Sequence, residues 1–235
     1  MKSLHVTTKE VQALLGEMLV LSVDPQKVDT YGYPSLMSRS FVRVLGFFIG
    51  KKRSEKFFKN LDHLFSPSGN WDCNVIKIEK IGRYKRMENL WKHRNNFRKS
   101  IWYKLATLQL ILGRYFGQGV RYKKRSIKTF KELDTFFDKY LLGLFYSLNI
   151  NGYRTDIEQD MPEVSIGRNG EIIKSKSGRH RFVVARIVGI KTMPVLVSHI
   201  HPLWLEKIGG SMEGEGLERL KIALRELASH HIKGL

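Results

Sequence analysis

Five consecutive residues offer the most chemistry in this chain of 235: Ser177-Gly178-Arg179-His180-Arg181. Their setting predicts the start of a helix. Ser175 to Gly178 reads as a loop. Arg179 to Val188 reads as a helix, with Phe182, Val183, Ala185, Ile187 and Val188 apolar and Gly189 placed as its stop. A helix N-terminus presents unpaired backbone N–H groups and a partial positive charge. Gly178 lets a phosphate approach that backbone closely. Arg179, His180 and Arg181 put cations where the dipole favours acids, so a bound anion is the natural compensation. The planar donor fork of Arg181 suits phosphate oxygens. His180 is a candidate for phosphate bonding or proton transfer. Each residue also has a plain reading: a turn glycine, solvated arginines, a packed histidine.

Other candidates are sparser. His199 and His201 stand two apart at the end of an expected strand and would share a face. Two histidines without a nearby carboxylate are a weak metal signal, so the metal is left unknown. Phosphoryl chemistry needs a carboxylate as base or for Mg²⁺. Glu158, Asp160, Glu163 and Glu171 flank the loop in sequence, and none has a distinctive spacing. Solvated loop carboxylates are the plain reading.

The elements that must position these residues are legible in outline. Thr7 or Thr8 caps a first helix, carried by Val11, Leu14, Leu15, Met18 and Leu19 and ended at Asp24-Pro25. Phe41 to Phe48 is apolar, and Lys51 to His63 reads as a basic helix. Val75, Ile76 and Ile78 suggest a short strand. Tyr84 to Phe116 reads as helix, with Met87, Leu90, Trp91, Phe97, Ile101, Trp102, Leu105, Leu108 and Ile111 sharing one broad face. Phe130 to Leu148 is another helix. Glu163 to Gly167 and Ile172-Ile173 form strands around an Asn169-Gly170 hairpin turn. Met193 to Val197 is a strand, and Met212 to Ile232 a terminal helix. The expected organisation is a basic, mainly helical region over 1–133, a core over 134–206 and a C-terminal helix over 207–235. The fold class is α+β.

Composition narrows the partners. Lys+Arg number 41 against 22 Asp+Glu, a net charge of +19 with a pI near 10.0. The excess is +16 over residues 1–150 and +3 over 151–235. Such a balance points to polyanions. Basic stretches at Lys51 to Arg53, Arg83 to Lys104 and Arg121 to Arg125 interleave aromatics, which suits single-stranded nucleic acid. At helical spacing the same aromatics also serve as core. One cysteine, Cys73, rules out a disulfide framework and suits a reducing cytoplasm. No apolar run approaches the ~20 residues a membrane span needs.

Val164-Ser165-Ile166-Gly167-Arg168-Asn169-Gly170-Glu171, then Ser177 to Phe182, Ala185, Gly189-Ile190 and Met193-Pro194-Val195 resemble the ParB/sulfiredoxin superfamily. The resemblance covers roughly residues 136–204 and implies a mixed core of small sheet and helices. Sulfiredoxins carry a cysteine where Arg179 stands, which argues against their chemistry. Partition proteins continue into DNA-binding and dimerisation modules, and only 31 residues follow Trp204. A third branch holds nucleotide-dependent kinases with Asp-Gly-His-His-Arg at this loop. Gly178, His180 and Arg181 match it, while Ser177 stands in place of the Asp. Gly69-Asn70-Trp71-Asp72, Arg114-Tyr115-Phe116-x-Gln118-Gly119 and His201-Pro202-Leu203-Trp204 resemble an uncharacterised ParB-like subfamily with a basic N-terminal extension. That subfamily implies no activity.

The resulting expectation is a nucleotide- or phosphate-binding protein, with a phosphotransferase or nucleotidase activity as its enzymatic form. Ser177, Gly178, Arg179, His180 and Arg181 would hold the phosphates of ATP or CTP with Mg²⁺, or of a phosphorylated small molecule. His180, His201 and Glu163 are the catalytic candidates. The alternative is a nucleic-acid-binding protein or nuclease using Arg121, Lys123, Lys124 and Arg125. A non-catalytic adaptor is a second alternative. Oligomeric state is left open.

Overall fold

A computed structural model describes residues 7–32, 65–115, 120–122, 125–154 and 161–233. The chain is mixed α/β and forms two compact units, each assembled from separated stretches. One unit takes residues 1–77, 155–179 and 191–235; the other takes 78–154 and 180–190. The expected elements at Phe41 to Phe48 and Lys51 to His63 lie outside the described residues, as do Glu158, Asp160 and the Phe116 to Gly119 part of the subfamily motif.

The first unit is built on a six-stranded mixed sheet. Helix α1 (Thr8–Leu15) opens with a capping box, in which Thr7 and Glu10 satisfy each other's backbone N–H groups. It stops at Gly16, whose φ is +50°. The single helix expected to reach Asp24 is therefore corrected. After a short 3-10 turn, Val20–Val23 is strand β1, half-buried and fully buried residues alternating along it. Its apolar residues had continued the helical spacing, while the chain changes period from 3.6 to 2. Strands β2 (Thr30–Tyr31) and β3 (Ile76–Lys77) follow, the latter where a short strand is expected.

Strands β6 (Glu163–Ile166) and β7 (Ile172–Lys174) pair antiparallel around the expected turn, with Gly170 at φ +89°. Strand β8 (Met193–Ile200) runs parallel to β6 and antiparallel to β1. The sheet order is β1-β8-β6-β7-β2-β3. Val164, Ile166, Ile173, Val195 and Val197 are fully buried in it. The C-terminal helix, Gly214–Lys233, packs on β1 and buries Leu220 and Leu224.

The second unit is largely helical. Helix α2 spans Gly82–Lys92 and α3 spans Ile101–Tyr115. The continuous helix expected over Tyr84 to Phe116 is broken: Asn96 sits at φ −149°, ψ 79°. Two side chains secure the break. Asn89 Oδ1 accepts from the Ile101 N–H at 2.8 Å, and Ser100 Oγ accepts from the Tyr103 N–H at 3.3 Å. The break resets the helical phase. Ala106 and Leu110 face inward on α3, and Ile101, Leu105, Leu108 and Ile111 face outward. The single broad apolar face is corrected accordingly.

Strands β4 (Val120–Tyr122) and β5 (Arg125–Ile127) form a hairpin. A helical run follows: α4 (Phe130–Thr135), a widened π-type stretch (Phe136–Leu142) and α5 (Gly143–Asn151). Phe137, Leu141, Phe145 and Leu148 form its buried side. Helix α6 (Arg179–Val188) has the bounds expected from sequence, and Gly189 at φ +80° ends it. No helix among the described residues is long and apolar enough to cross a membrane.

Candidate functional site

Ser177 to Arg181 lie at the start of α6 and are all half-buried. The residue before the helix is Gly178, which has no side chain to cap it, and the first turn holds no acid. The Gly178 N–H makes no hydrogen bond among the described residues. The glycine has a second reason to be there. Its φ is +65°, and a Cβ would meet the Pro162 Cα at 2.4 Å. Backbone geometry alone therefore requires glycine at 178.

Arg179 and His180 of the first turn take distinct partners. Arg179 donates to Tyr31 Oη at 2.9 Å and lies over that ring at 5.7 Å, both within the first unit. In the second unit, Arg83 from the first turn of α2 donates to His180 Nε2 at 2.7 Å. A guanidinium can only donate, so that imidazole nitrogen accepts. Arg83 thus lies against the first turn of α6, on a neutral His180 imidazole. Sequence reasoning had no signal for it, because 97 positions separate it from His180.

A second residue missed in the sequence is Lys174, which is 2% exposed. Its ammonium donates to the carbonyls of Glu163 at 2.7 Å, Ser175 at 2.8 Å and Ser177 at 2.5 Å. Burial pushes its pKa down to about 7; the Glu163 charge opposes that fall and the Arg179 charge adds to it. The only sequence signal was a lysine ending an apolar strand before a loop of small residues. Glu163 comes to the same place by its backbone. Its N–H donates to the Ser177 carbonyl at 3.4 Å, and its carbonyl accepts from the Ser175 N–H at 3.0 Å.

His201 lies elsewhere. Its Nδ1 accepts from the Leu203 N–H at 3.2 Å, capping helix α7 (Pro202–Lys207). Its Nε2 donates to the Gly69 carbonyl at 2.9 Å, and its ring lies 5.6 Å from that of Trp71. It is 3% exposed, with both ring nitrogens engaged. His199 takes other partners, with Nδ1 2.8 Å from Ser198 Oγ. No group of three His, Cys, Asp or Glu capable of holding a metal occurs among the described residues.

Around His201, three separate sequence motifs converge in the first unit. Arg168 donates to Asp72 from its backbone N–H, Nε and Nη2, and from Nη2 to Asn70 Oδ1 as well. Trp204 abuts Gly170, where an added Cβ would stand 2.9 Å from the indole nitrogen. Burial raises the Asp72 carboxyl, but the hydrogen bonds and charge of Arg168 outweigh it and bring it to about 2.

In the second unit, Arg121 and Arg125 lie on the two strands of the β4–β5 hairpin, while Lys123 and Lys124 are outside the described residues. Trp91 stacks on Phe145 at 4.9 Å with Arg94 over it at 4.7 Å, and Trp102 packs edge-on against Phe137 at 5.3 Å. These aromatics serve the packing of the unit. No family model, curated protein or solved structure matches the chain.

Proposed function

We propose that this chain is a phosphate-binding protein of the ParB/sulfiredoxin type, with its anion at the N-terminus of α6. One observation carries the reading. The Arg83 guanidinium is directed onto His180 in a first turn that already holds Arg179 and Arg181 and contains no acid. Positive charge gathered at a helix start is stabilised by an anion. The Gly178 N–H and the first-turn N–H groups bind phosphate oxygens, and Arg181 adds a two-pronged contact.

The preferred ligand is a nucleoside triphosphate, ATP or CTP, accompanied by Mg²⁺. Mg²⁺ is ordinarily held by substrate phosphates and one or two carboxylates. Glu163, paired through its backbone with Ser177 and acting by its charge on Lys174, is the candidate carboxylate. As a phosphotransferase or nucleotidase, the protein uses His180 to hold or move a proton and Glu163 as base. His201 is assigned to helix capping rather than chemistry. Isothermal titration of ATP and CTP with Mg²⁺ tests the binding. Arg181→Ala is expected to weaken it about tenfold or more, the loss of a charge-assisted pair. No heat from either nucleotide refutes the reading.

A second reading rests on the hairpin, where four cations fall within residues 121–125. A nucleic-acid-binding protein or nuclease would bind through that ribbon with a steep dependence on salt. Neutralising Arg121 and Arg125 would then abolish oligonucleotide binding, and Arg181→Ala would not.

A further inference from the structure

We propose that Lys174 is the positioning residue of the anion loop, its buried ammonium doing from within the fold what a bound monovalent cation does in other carbonyl cages. The inference rests on the phosphate-binding reading for its purpose, and on geometry for its substance. An ammonium carries three N–H donors. Here they meet three backbone carbonyls from two directions: Glu163 at the start of β6, and Ser175 and Ser177 on the loop that leads to α6. The group is 2% exposed, so water does not compete for these carbonyls.

The consequence for the loop follows from peptide geometry. A trans peptide directs its C=O and N–H to opposite sides. Fixing the Ser177 carbonyl on the Lys174 ammonium therefore turns the N–H of the same peptide, that of Gly178, away from Lys174. That N–H is the donor without a hydrogen bond among the described residues. The loop cannot easily relax by other means. Glu163 pairs with Ser177 and Ser175 on one side, and Pro162 stands against Gly178 on the other. Lys174 thus sets the direction of the first donor of the anion site without touching the anion.

Charge balance fits the assignment. The Glu163 carboxylate is the acid that favours the charged lysine, and Arg179 is the cation that opposes it. A phosphate bound at the helix start would add negative charge that, like Glu163, offsets Arg179. Loop and ligand would therefore reinforce each other.

The test is amide hydrogen exchange on the full-length protein, with nucleotide binding as a second readout. In Lys174→Met, exchange across residues 175–179 is expected to rise about tenfold or more, with the helix Gly214–Lys233 unchanged. Lys174→Ala is expected to regain protection in the same segment with added n-propylammonium, and not with tetramethylammonium, which has no N–H to donate. That rescue is the response a merely space-filling lysine would not give. If Lys174→Met fails to fold, Lys174→Gln, which keeps two donors, is read in the same way. Unchanged loop exchange, a uniform rise through the whole unit, or equal effects of the two ammonium ions overturns the proposal. Affinity for ATP with Mg²⁺ is expected to fall about tenfold with the loop in Lys174→Met. A wild-type protein that binds no nucleotide refutes the phosphate reading, while the exchange result still decides the role of Lys174.

Discussion

Asp72 shows how the chain uses charge at the scale of single residues. Its carboxylate is buried beneath Arg168 and hydrogen-bonded by three nitrogens of that residue. Neutralising the buried partner of this partly exposed arginine removes that stabilisation, so Asp72→Asn is expected to destabilise the protein by about 2 kcal/mol. The pH dependence has a defined sign. The carboxyl titrates at 3.8 in an ordinary setting and at about 2 here. A depressed folded-state value gives stability that is complete above about pH 4 and is lost as pH falls through 2, about 2 kcal/mol in all. Urea titrations at pH 7, 3 and 2 check this; Asp72→Asn should flatten the acid slope, and an unaltered slope would contradict the assignment. Gly178 gives a different lesson. Its φ of +65° and the nearness of Pro162 demand glycine whether or not an anion binds. A Gly178→Ala variant therefore reports on the backbone, and Arg181→Ala is the cleaner probe of the ligand.

At the scale of elements, the phase of helix α3 decides which apolar residues matter. Leu110 is 1% exposed and Leu105 is 56% exposed. Leu110→Ala is expected to cost about 2–5 kcal/mol, whereas Leu105→Ala should stay within about 0.5 kcal/mol. Chemical denaturation of the two variants checks the assignment, and a reversed order would contradict the break at Asn96. The sequence announced some elements plainly. Helix α6 was legible because an apolar period ends at a glycine that takes positive φ, and the β6–β7 turn because Asn169-Gly170 favours a tight reversal. Strand β1 was not, because Val20 and Leu21 extend a helical spacing and only Gly16 marks the change. The helix break was hidden because Met87, Leu90, Trp91, Phe97, Ile101 and Leu105 recur across it, although Asn95-Asn96 and Ser100 were usable signals for a stop and a cap. The loop of the candidate site was visible for local reasons. Arg83 and Lys174 were not, since their partners are fixed by tertiary packing.

At the scale of the whole molecule, the excess of positive charge has two claimants. Residues 1–150 carry +16 of the +19, and the hairpin at 121–125 belongs to that part. A polyanion held by general charge would respond to salt and to hairpin neutralisation. A phosphate held at the start of α6 would respond to one arginine. The most direct measurement is a thermal-shift series with ATP, CTP, GTP and ADP, each with Mg²⁺, beside a short oligonucleotide, on wild type, Arg181→Ala and the Arg121→Ala/Arg125→Ala pair. A ligand that binds only the folded state at about 100 times its Kd adds roughly 2.7 kcal/mol, a readily measured rise in Tm. Such a rise is expected with ATP or CTP, lost in Arg181→Ala and kept in the hairpin variant. No rise with any nucleotide, or a rise that the hairpin variant loses and Arg181→Ala keeps, would contradict it.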